Sequence, residues 1–341
     1  MKFGLFIMGT QSGSYHDILE QVDYAEELGF DTVVLGERHF RHGDLLYPSP
    51  FVMAAAFAAR TTRIRIGLAA RVLSLDHPLH IAEDAATLDV LSGGRLDFGG
   101  TRASLDGESH VVFQSPIDES RSRLKEALEV IVKAWTEEQF SYEGLYYKIP
   151  EVSVYPKPIQ EPHPPIYIVA VTPETLAFAA EKGYSPIIGA VRSFSELEET
   201  SKSYWKIFHE AGHNGTIAEL TINRFIYVSD TDEKALGEIE KPFMDFIKNR
   251  APDLKSTLIT KYGSEEKSNF DHFLNDFCVF GSPKTVALRI KELADKLEMN
   301  YLLCSLNLIT LDHALCIKSM ELFAKEVIPN FTSSQKVKSV R

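Results

Sequence analysis

The sequence predicts an α/β protein with the architecture of a TIM (β/α)8 barrel that carries insertions. Strand-like and helix-like segments alternate almost from end to end, and eight segments have the strand pattern. Repeated β–α units imply a parallel sheet, and eight such units favour closure into a barrel. An open doubly wound sheet is the alternative, and a GxGxxG turn after the first strand would indicate it. Residues 8–13 contain two glycines without that spacing, so this alternative is disfavoured.

The predicted strands are short apolar or alternating segments. The first becomes polar at Gly9, and the third begins with alternating Arg and Ile before it becomes apolar, as a strand that enters a barrel does. In chain order the strands are predicted at 2–8, 31–36, 63–73, 95–100, 165–171, 185–191, 219–229 and 300–306.

The predicted helices lie between these strands. Gly29 ends the first helix, the second is rich in Ala, and Pro78 stands in the first turn of the third. In chain order the helices are predicted at 15–28, 50–60, 78–91, 118–138, 173–182, 194–212, 232–249, 283–297 and 312–326.

Two segments interrupt the alternation. Residues 139–164 are aromatic and rich in Pro without a helical period, which predicts a hairpin-like excursion, and residues 251–276 form a polar stretch. We therefore expect a single barrel domain over 1–330 with two excursions, followed by a polar C-terminal tail over 331–341.

Composition narrows the classes of function. The chain has 36 Lys and Arg against 48 Asp and Glu, a formal net charge of −12, which disfavours a broad nucleic-acid-binding surface but leaves room for a small anion site. Its 3 cysteines have no CxxC spacing, which fits a reducing compartment and disfavours a cysteine zinc site. No stretch approaches the ~20 apolar residues of a membrane span. We expect a cytoplasmic protein that binds neither nucleic acid nor membrane.

The active site of such a barrel lies at the carboxyl ends of its strands, and this rule ranks the motifs. The segment 92–95 (SGGR) resembles an anion-binding loop, but it leads into a strand at the opposite face. This position favours a glycine helix end with Arg95 exposed or paired.

Glu37, Arg38 and His39 follow the second strand directly and are therefore expected at the barrel mouth. His39 is the natural acid or base at neutral pH, so the cluster predicts binding and proton transfer. The alternative is a local Glu37–Arg38 ion pair beside a solvent-exposed His39.

For two features near the third strand, the sequence is compatible with either a functional or a structural role. Ala69 and Ala70 either let a flat ligand approach the backbone or fill a crowded barrel. His77 either faces the site or follows Asp76, which would cap the next helix.

Two anion signals follow strands four and five. Gly99 and Gly100 precede Arg102 at the mouth, which suits a phosphate or a planar anion held bidentately. After strand five, Thr172 has the position of an N-cap, so the amides that follow predict a phosphate site at a helix N-terminus. The carboxylate of Glu174 is compatible with a phosphate site only if it points away from the phosphate. The alternative is that Thr172 caps the helix and binds no anion.

Metal and serine-nucleophile chemistry are disfavoured. The pairs His39–His42 and His77–His80 have i, i+3 spacing, but no HxH follows the first strand. The GxSxG motif of serine hydrolases is absent as well. We predict no metal site.

Six segments, in register and in order, carry a resemblance to a known family: KFGLFIM, LGFDTVVLGERHF, RIRIGLAARVLSLDHPLHIAED, LDVLSGGRLDFGGTR, PPIYIVAVTPET and FGSPKTVALRI. Over about residues 1–330 the chain resembles the bacterial luciferase-like, flavin-dependent monooxygenase family. That resemblance implies a TIM barrel with insertions, dimerisation through helices two and three, and the use of O2 with reduced FMN delivered by a separate flavin reductase.

The resemblance also implies roles for individual residues. Arg102, Thr172 and Thr175 match positions that hold the FMN phosphate. The pair Ala69-Ala70 matches small residues, often joined by a non-proline cis peptide, that support the isoalloxazine ring. Residues 251–276 correspond to the mobile lid of the family. The other positions implied to lie next to FMN are Ser104, Ala170 and Val171.

The chain departs from the luciferase α-subunits at three positions. Arg38 stands in place of their first, catalytic histidine, Thr101 in place of a reactive cysteine, and Val171 in place of an acidic residue. Because of these differences, the resemblance does not imply that this chain emits light with an aldehyde substrate. Glu37, Arg38 and His39 are the predicted catalytic residues, with Arg38 placed to stabilise a peroxide or an anionic substrate.

Three hypotheses follow from the resemblance. The first is a two-component monooxygenase in which reduced FMN and O2 form a C4a-(hydro)peroxyflavin that oxidises a small organic substrate. The second is a non-catalytic flavin-binding protein of the same fold, and the third is an oxidoreductase that transfers hydride with a deazaflavin coenzyme. A homodimer is expected, and a heterodimer stays open.

Overall fold

The chain forms a barrel surrounded by helices. The computed structural model describes residues 1–10, 12–40, 48–102, 108–213, 218–250 and 252–332. The strands are β1 (Lys2–Ile7), β2 (Thr32–Leu35), β3 (Arg65–Leu68), β4 (Arg71–Val72), β5 (Leu96–Thr101), β6 (Phe140–Glu143), β7 (Lys148–Val152), β8 (Ile166–Val169), β9 (Ser185–Ile188), β10 (Thr221–Val228), β11 (Cys278–Gly281) and β12 (Tyr301–Asn307). The helices are α1 (Tyr15–Leu28), α2 (Pro50–Arg60), α3 (Pro78–Ser92), α4 (Glu108–Val112), α5 (Ser120–Thr136), α6 (Pro173–Glu181), α7 (Phe194–Glu210), α8 (Asp232–Asp245), α9 (Pro252–Tyr262), α10 (Phe270–Asp276), α11 (Pro283–Leu297), α12 (His313–Leu322) and α13 (Pro329–Thr332).

Eight of these strands form a closed ring of parallel pairs. The ring runs β1, β2, β3, β5, β8, β9, β10, β12 and back to β1. It closes where β9 pairs with β10 (Ile187 opposite Thr221) and where β12 pairs with β1 (Tyr301 opposite Lys2). The predicted barrel is thus confirmed, and the open-sheet alternative is wrong.

Capping residues set the ends of several helices. The Ser14 side chain accepts a hydrogen bond from the His16 N–H at the start of α1, and Gly29, with φ 89°, ends that helix. Ser282 caps α11 in the same way. The predicted bounds of α1 and α11 agree with the structure because such local signals mark them, and those of α2 agree as well, with Pro50 in its first turn. Within the described ranges, no helix has the length and apolar character needed to cross a membrane.

Two strand predictions are wrong in detail. The segment 63–73 was predicted as one strand, but β3 ends at Leu68 and the chain resumes as the two-residue β4. The strand β11 was not predicted, since four apolar residues after a polar stretch are too few to show a period. It pairs with the second half of β10, where Phe225 is opposite Cys278.

The two segments that interrupt the alternation have their own structure. In 139–164, β6 and β7 pair in antiparallel fashion. The buried Glu126 of α5 accepts hydrogen bonds from the N–H groups of Tyr146 (3.0 Å) and Tyr147 (2.8 Å), which fixes the connecting turn. In 251–276, the described residues contain α9 and α10.

Ion pairs occupy the amino ends of the barrel strands. Arg65 at the start of β3 pairs with Asp97 at 2.6 Å, and Lys2 at the start of β1 pairs with Glu219 at 2.8 Å. Burial raises the pKa of Asp97, and the charge of Arg65 opposes that shift. The barrel interior also contains a small apolar cluster of Val34, Tyr167, Ile187, Tyr301 and Leu303.

Arg95 lies at the same end of the barrel. Gly93, with φ 70°, ends α3, as the position of the SGGR segment predicted. The Arg95 guanidinium donates to the hydroxyl of Thr61, so it is paired inside the protein and does not form an anion site. It also donates to the carbonyl oxygens of Ala58, Thr61, Ile64 and Ser92.

Candidate active site

Most of the predicted site residues follow four strands that are neighbours in the barrel. Glu37 follows β2, Ala69 follows β3, Arg102 follows β5, and Thr172 follows β8. The segments that begin at these carboxyl ends therefore share one side of the barrel mouth. Ser104, which was also predicted to contact the cofactor, lies outside the described residues.

The peptide bond between Ala69 and Ala70 is cis, the feature that the family resemblance implied at this position. Glycines on the neighbouring strands allow close approach to this segment. A Cβ at Gly99 would lie 1.6 Å from the carbonyl oxygen of Leu68, and a Cβ at Gly36 would lie 3.2 Å from that of Ala69. Gly99 is therefore required by the close approach of an adjacent strand.

Glu37 is the centre of a buried polar cluster. Its side chain is 0% exposed, and its Oε1 accepts from His39 Nε2 at 2.7 Å and from the Arg71 guanidinium. Its Oε2 accepts from the Val72 N–H at 2.7 Å. On its other side, Arg71 pairs with Asp76 at 2.8 Å. Both oxygens of Glu37 are thus engaged by the protein.

The His39 side chain is 12% exposed, so the alternative of a solvent-exposed histidine is wrong. Its ring packs edge-on against Phe113, with centroids 4.9 Å apart, and lies 5.7 Å from Phe40. Phe40 and Phe113 are about half exposed and form an apolar wall at the mouth. Arg38, which precedes His39 in the chain, is half-buried.

His77, and not Asp76, caps α3. The Nδ1 of His77 accepts from the Leu79 N–H at 3.3 Å, whereas Asp76 binds Arg71. Burial lowers the pKa of His77, and the nearby His80 acts in the same direction. The open question about this pair is therefore decided in favour of a structural role for both residues.

A cationic cleft of ≈ 410 Å³ lies beside Arg102. Arg102 donates from Nη1 to the Ser120 hydroxyl at 3.1 Å, and Arg121 and Lys125 of α5 line the same cleft. Among the described residues, no carboxylate lies within ion-pair distance of Arg102 or Lys125. Three cations thus meet in this cleft, which Asp118 lines as well.

The amino end of α6 adjoins these cations. The Thr172 hydroxyl accepts from the Thr175 N–H at 3.4 Å, as the predicted N-cap requires. Glu174 pairs with Arg121 at 3.3 Å, so it points toward the cations and not away from them. Hydrogen bonds from its own N–H and from Thr172 lower the pKa of Glu174, and the charges of Arg121 and Arg102 lower it further.

The other two predicted cofactor contacts differ in exposure. Ala170 is buried, and its N–H donates to the carbonyl of Ile187 at 3.0 Å. Val171 is about half exposed, and its carbonyl accepts from Arg192 at 2.6 Å. Contact between a ligand and Val171 is therefore possible without rearrangement, whereas the Ala170 side chain offers little surface.

Three cationic residues of the mouth were not predicted from the sequence: Arg71, Arg121 and Lys125. Arg71 lay within the predicted strand 63–73 and was not selected, although its partner Glu37 was. Arg121 and Lys125 stand four residues apart near the start of the helix that follows the fourth strand. That position, at the predicted active face, was a signal that could have identified them.

Curated relatives of this chain include flavin monooxygenases. The alkanal monooxygenase alpha chain of the Kryptophanaron alfredi symbiont is 30% identical over 69% of this chain and 67% of its own length. The oxygenase component of the flavin-dependent trigonelline monooxygenase of Acinetobacter baylyi is 27% identical, also over 69% of this chain and 67% of its own length.

Solved structures share the whole fold. The monooxygenase RslO1 from Streptomyces bottropensis superposes with a TM-score of 0.84 and 25% identity, covering 97% of this chain and 100% of its own. The FMN-bound oxygenating constituent of 3,6-diketocamphane monooxygenase from Pseudomonas putida has a TM-score of 0.81 and 20% identity, covering 96% and 98%. A coenzyme-F420-dependent tetrahydromethanopterin reductase from Methanopyrus kandleri has a TM-score of 0.79 and 21% identity, covering 97% and 99%.

The sequence profile of the family described as luciferase-like monooxygenase matches residues 1–297, which is most of the chain. The expected family and barrel are therefore confirmed together. This chain belongs to the luciferase-like monooxygenase family.

Proposed function

We propose that the protein is the oxygenase of a two-component system, an FMN-dependent monooxygenase that oxidises a small organic substrate with O2. The observation that carries this proposal is the cleft of Arg102, Arg121 and Lys125 at the barrel mouth. A doubly charged phosphate is held best by guanidinium groups together with the free N–H groups of a helix N-terminus. Family membership favours a flavin as the bearer of that phosphate.

The residues present fit FMN. Arg102, Arg121 and the turn from Thr172 to Thr175 would hold the phosphate, with Glu174 displaced from Arg121. The backbone at Ala69-Ala70 would support the isoalloxazine ring, as the resemblance implies. Bound reduced FMN would supply the electrons that activate O2.

Three side chains next to this position would act on the substrate. His39 would accept or return its proton, since imidazole is an effective base near neutral pH. Arg38 would stabilise negative charge on the substrate. Phe40 and Phe113 would contact its apolar part. Glu37 would orient His39 and not touch the substrate, because both of its oxygens are engaged.

The proposal assigns the role of lid to residues 251–276, inserted in one barrel domain over 1–330. Lys261 of α9 donates to the Val191 carbonyl at 3.1 Å and pairs with Glu196 at 2.6 Å. These contacts tie α9 to the segment that follows β9, on the side of the mouth. Closure of such a lid would keep water away from the reaction.

The proposal includes a homodimer and a flavin reductase partner. Val52 of α2 and Leu91 of α3 are large apolar side chains that are about two-thirds exposed, which supports pairing through these helices. The reductase is supported by the relative named as an oxygenase component. All 3 cysteines are free, which supports a cytoplasmic location.

The proposal is tested by mixing the protein with photoreduced FMN and O2 in a stopped-flow instrument. We expect oxidised flavin to return more slowly than in a control with free FMN. An identical time course would contradict the proposal. A competitive titration with FMN and a deazaflavin coenzyme tests the hydride-transfer alternative, which tighter binding of the deazaflavin would favour.

A further inference from the structure

The ion-pair cluster behind His39 determines more than the position of the ring. The Nε2 of His39 lies 2.7 Å from Glu37 Oε1, which also accepts from Arg71. An ionised carboxylate only accepts hydrogen bonds, so the proton of a neutral His39 ring must reside on Nε2. The basic nitrogen of that ring is then Nδ1.

Arg71 keeps Glu37 in the state that this arrangement needs. Its guanidinium neutralises a carboxylate whose side chain is 0% exposed, and a buried carboxylate without a counter-charge is costly. Arg71 is itself anchored, because Asp76 binds it at 2.8 Å and its backbone pairs with Gly100 in β5. Its side chain is only 12% exposed.

The remaining neighbours hold the ring without supplying an opposite charge. Phe113 packs edge-on against His39, with an interplanar angle of 77°, and Phe40 lies beside it. His110 of α4, the helix that ends just before Phe113, donates from Nδ1 to the carbonyl of Ser115, 3.0 Å away. Glu37 is thus the carboxylate that faces the ring among the described residues, with Arg71 and Asp76 behind it.

We infer that Arg71 is a positioning residue: through Glu37 it holds His39 as a neutral imidazole with the proton on Nε2 and with Nδ1 as the base. The use of that base in oxidation rests on the proposed function, whereas the tautomer does not. Without Arg71, the buried charge of Glu37 would recruit the proton of an imidazolium, and Nδ1 would no longer be free to accept one.

The test is nitrogen NMR of the full chain with ¹⁵N-labelled histidine at neutral pH, in the absence of any ligand. The chain has 11 histidines, and the signals of His39 are assigned by their loss in His39→Gln. In the unaltered protein we expect a protonated Nε2 and an unprotonated Nδ1. In Arg71→Met the ratio of protonated to neutral ring is expected to rise about tenfold, since one opposing charge near a titrating group has an effect of this size.

Two variants separate positioning from general damage. Arg71→Lys keeps the positive charge and is expected to restore the ratio to within about threefold of the unaltered protein. Arg60→Met removes an Arg–Asp pair outside the site and is expected to leave the His39 signals unchanged.

A His39 ring with its proton on Nδ1 in the unaltered protein would overturn the inference, as would an Arg71→Met ratio equal to the original one. An equal shift in Arg60→Met would overturn it too. If Arg71→Met does not fold, the inference is tested by two other measurements. These are the tautomer of His39 in the unaltered protein and the ratio of protonated to neutral His39 in Arg71→Lys. A failure to bind FMN would refute the proposed function alone, because these NMR measurements need no flavin.

Discussion

The two ends of the barrel use cationic side chains differently. At the amino ends of the strands, Arg65 is paired with Asp97 and Lys2 with Glu219. At the carboxyl ends, Arg102 and Lys125 line an open cleft and have no carboxylate within ion-pair distance among the described residues. Arg65 and Lys2 therefore stabilise the fold at one end, whereas Arg102 and Lys125 are available to a ligand at the other.

This difference explains why net charge is a poor guide to the site. The formal net charge of −12 describes the whole chain, whereas the proposed phosphate site depends on a few cations at one end. Changes at the amino end should alter the free energy of unfolding and leave ligand affinity unchanged. Changes at the mouth should have the opposite pattern.

The largest expected effect is on stability, at the amino end. Arg65→Met leaves the buried Asp97 without its partner, and breaking a buried ion pair in this way typically costs about 3–5 kcal/mol. Denaturant unfolding should show this loss while the FMN dissociation constant changes less than about twofold. Arg60→Met, which breaks an exposed pair, should cost under about 1 kcal/mol. Equal losses in both variants would argue against the buried pair as a source of stability.

The next largest effect is on binding, at the mouth. Arg102→Ala should weaken FMN binding by about 1.5–3 kcal/mol, the range for a charge-assisted contact. Calorimetric titration measures this change, and unfolding of the same variant should differ by less than about 0.5 kcal/mol. An unchanged dissociation constant would show that the phosphate is held elsewhere.

A smaller effect in the opposite direction is expected at Glu174. This carboxylate pairs with Arg121 and would compete with a phosphate for it. Glu174→Gln should therefore tighten FMN binding about two- to fivefold, the size expected for an exposed ion pair. Glu181→Gln, at the other end of the same helix, serves as the control and should have no effect. Weaker binding in Glu174→Gln would show that Glu174 supports the site.

The smallest expected effect is on the pH dependence of stability, and it involves Glu26 at the amino end of the barrel. Although burial acts to raise it, hydrogen bonds from the N–H groups of Ile64, Thr62 and Arg63 lower the pKa of Glu26 to about 2. A carboxylate with a lowered pKa stabilises the fold above its unfolded pKa, and that stability is lost as pH falls through the folded pKa. Between about pH 5 and pH 2, the free energy of unfolding should decrease less in Glu26→Gln than in the unaltered protein. Parallel decreases would contradict this role.

Much of the fold follows from local signals in the sequence. Ser14 with Gly29 and Ser282 with Pro283 mark helix ends whatever the rest of the chain does. The count of β–α units then implies the closed barrel. By contrast, β11 is defined by its pairing with β10 and not by a pattern of its own, so the sequence does not reveal it.

The site residues that could be predicted are those whose position directly after a strand places them at the barrel mouth. Arg102 and Thr172 were selected because each follows a strand, and the structure places both at the mouth. The pairing of Arg71 with Glu37 was not predictable, since the two residues are 34 apart and meet only because β2 and β3 are adjacent and β3 is interrupted before β4. The sequence likewise does not show which cations lack a carboxylate partner, because ion pairing depends on the packed structure.

The most direct test of this account compares the affinities of FMN and riboflavin, which differ only in the phosphate. We predict that the unaltered protein binds FMN more tightly than riboflavin by about 1.5–3 kcal/mol or more, and that Arg102→Ala removes most of that difference while its affinity for riboflavin stays the same. Equal affinities for the two flavins in the unaltered protein would contradict the claim that the cations at the barrel mouth form a phosphate site.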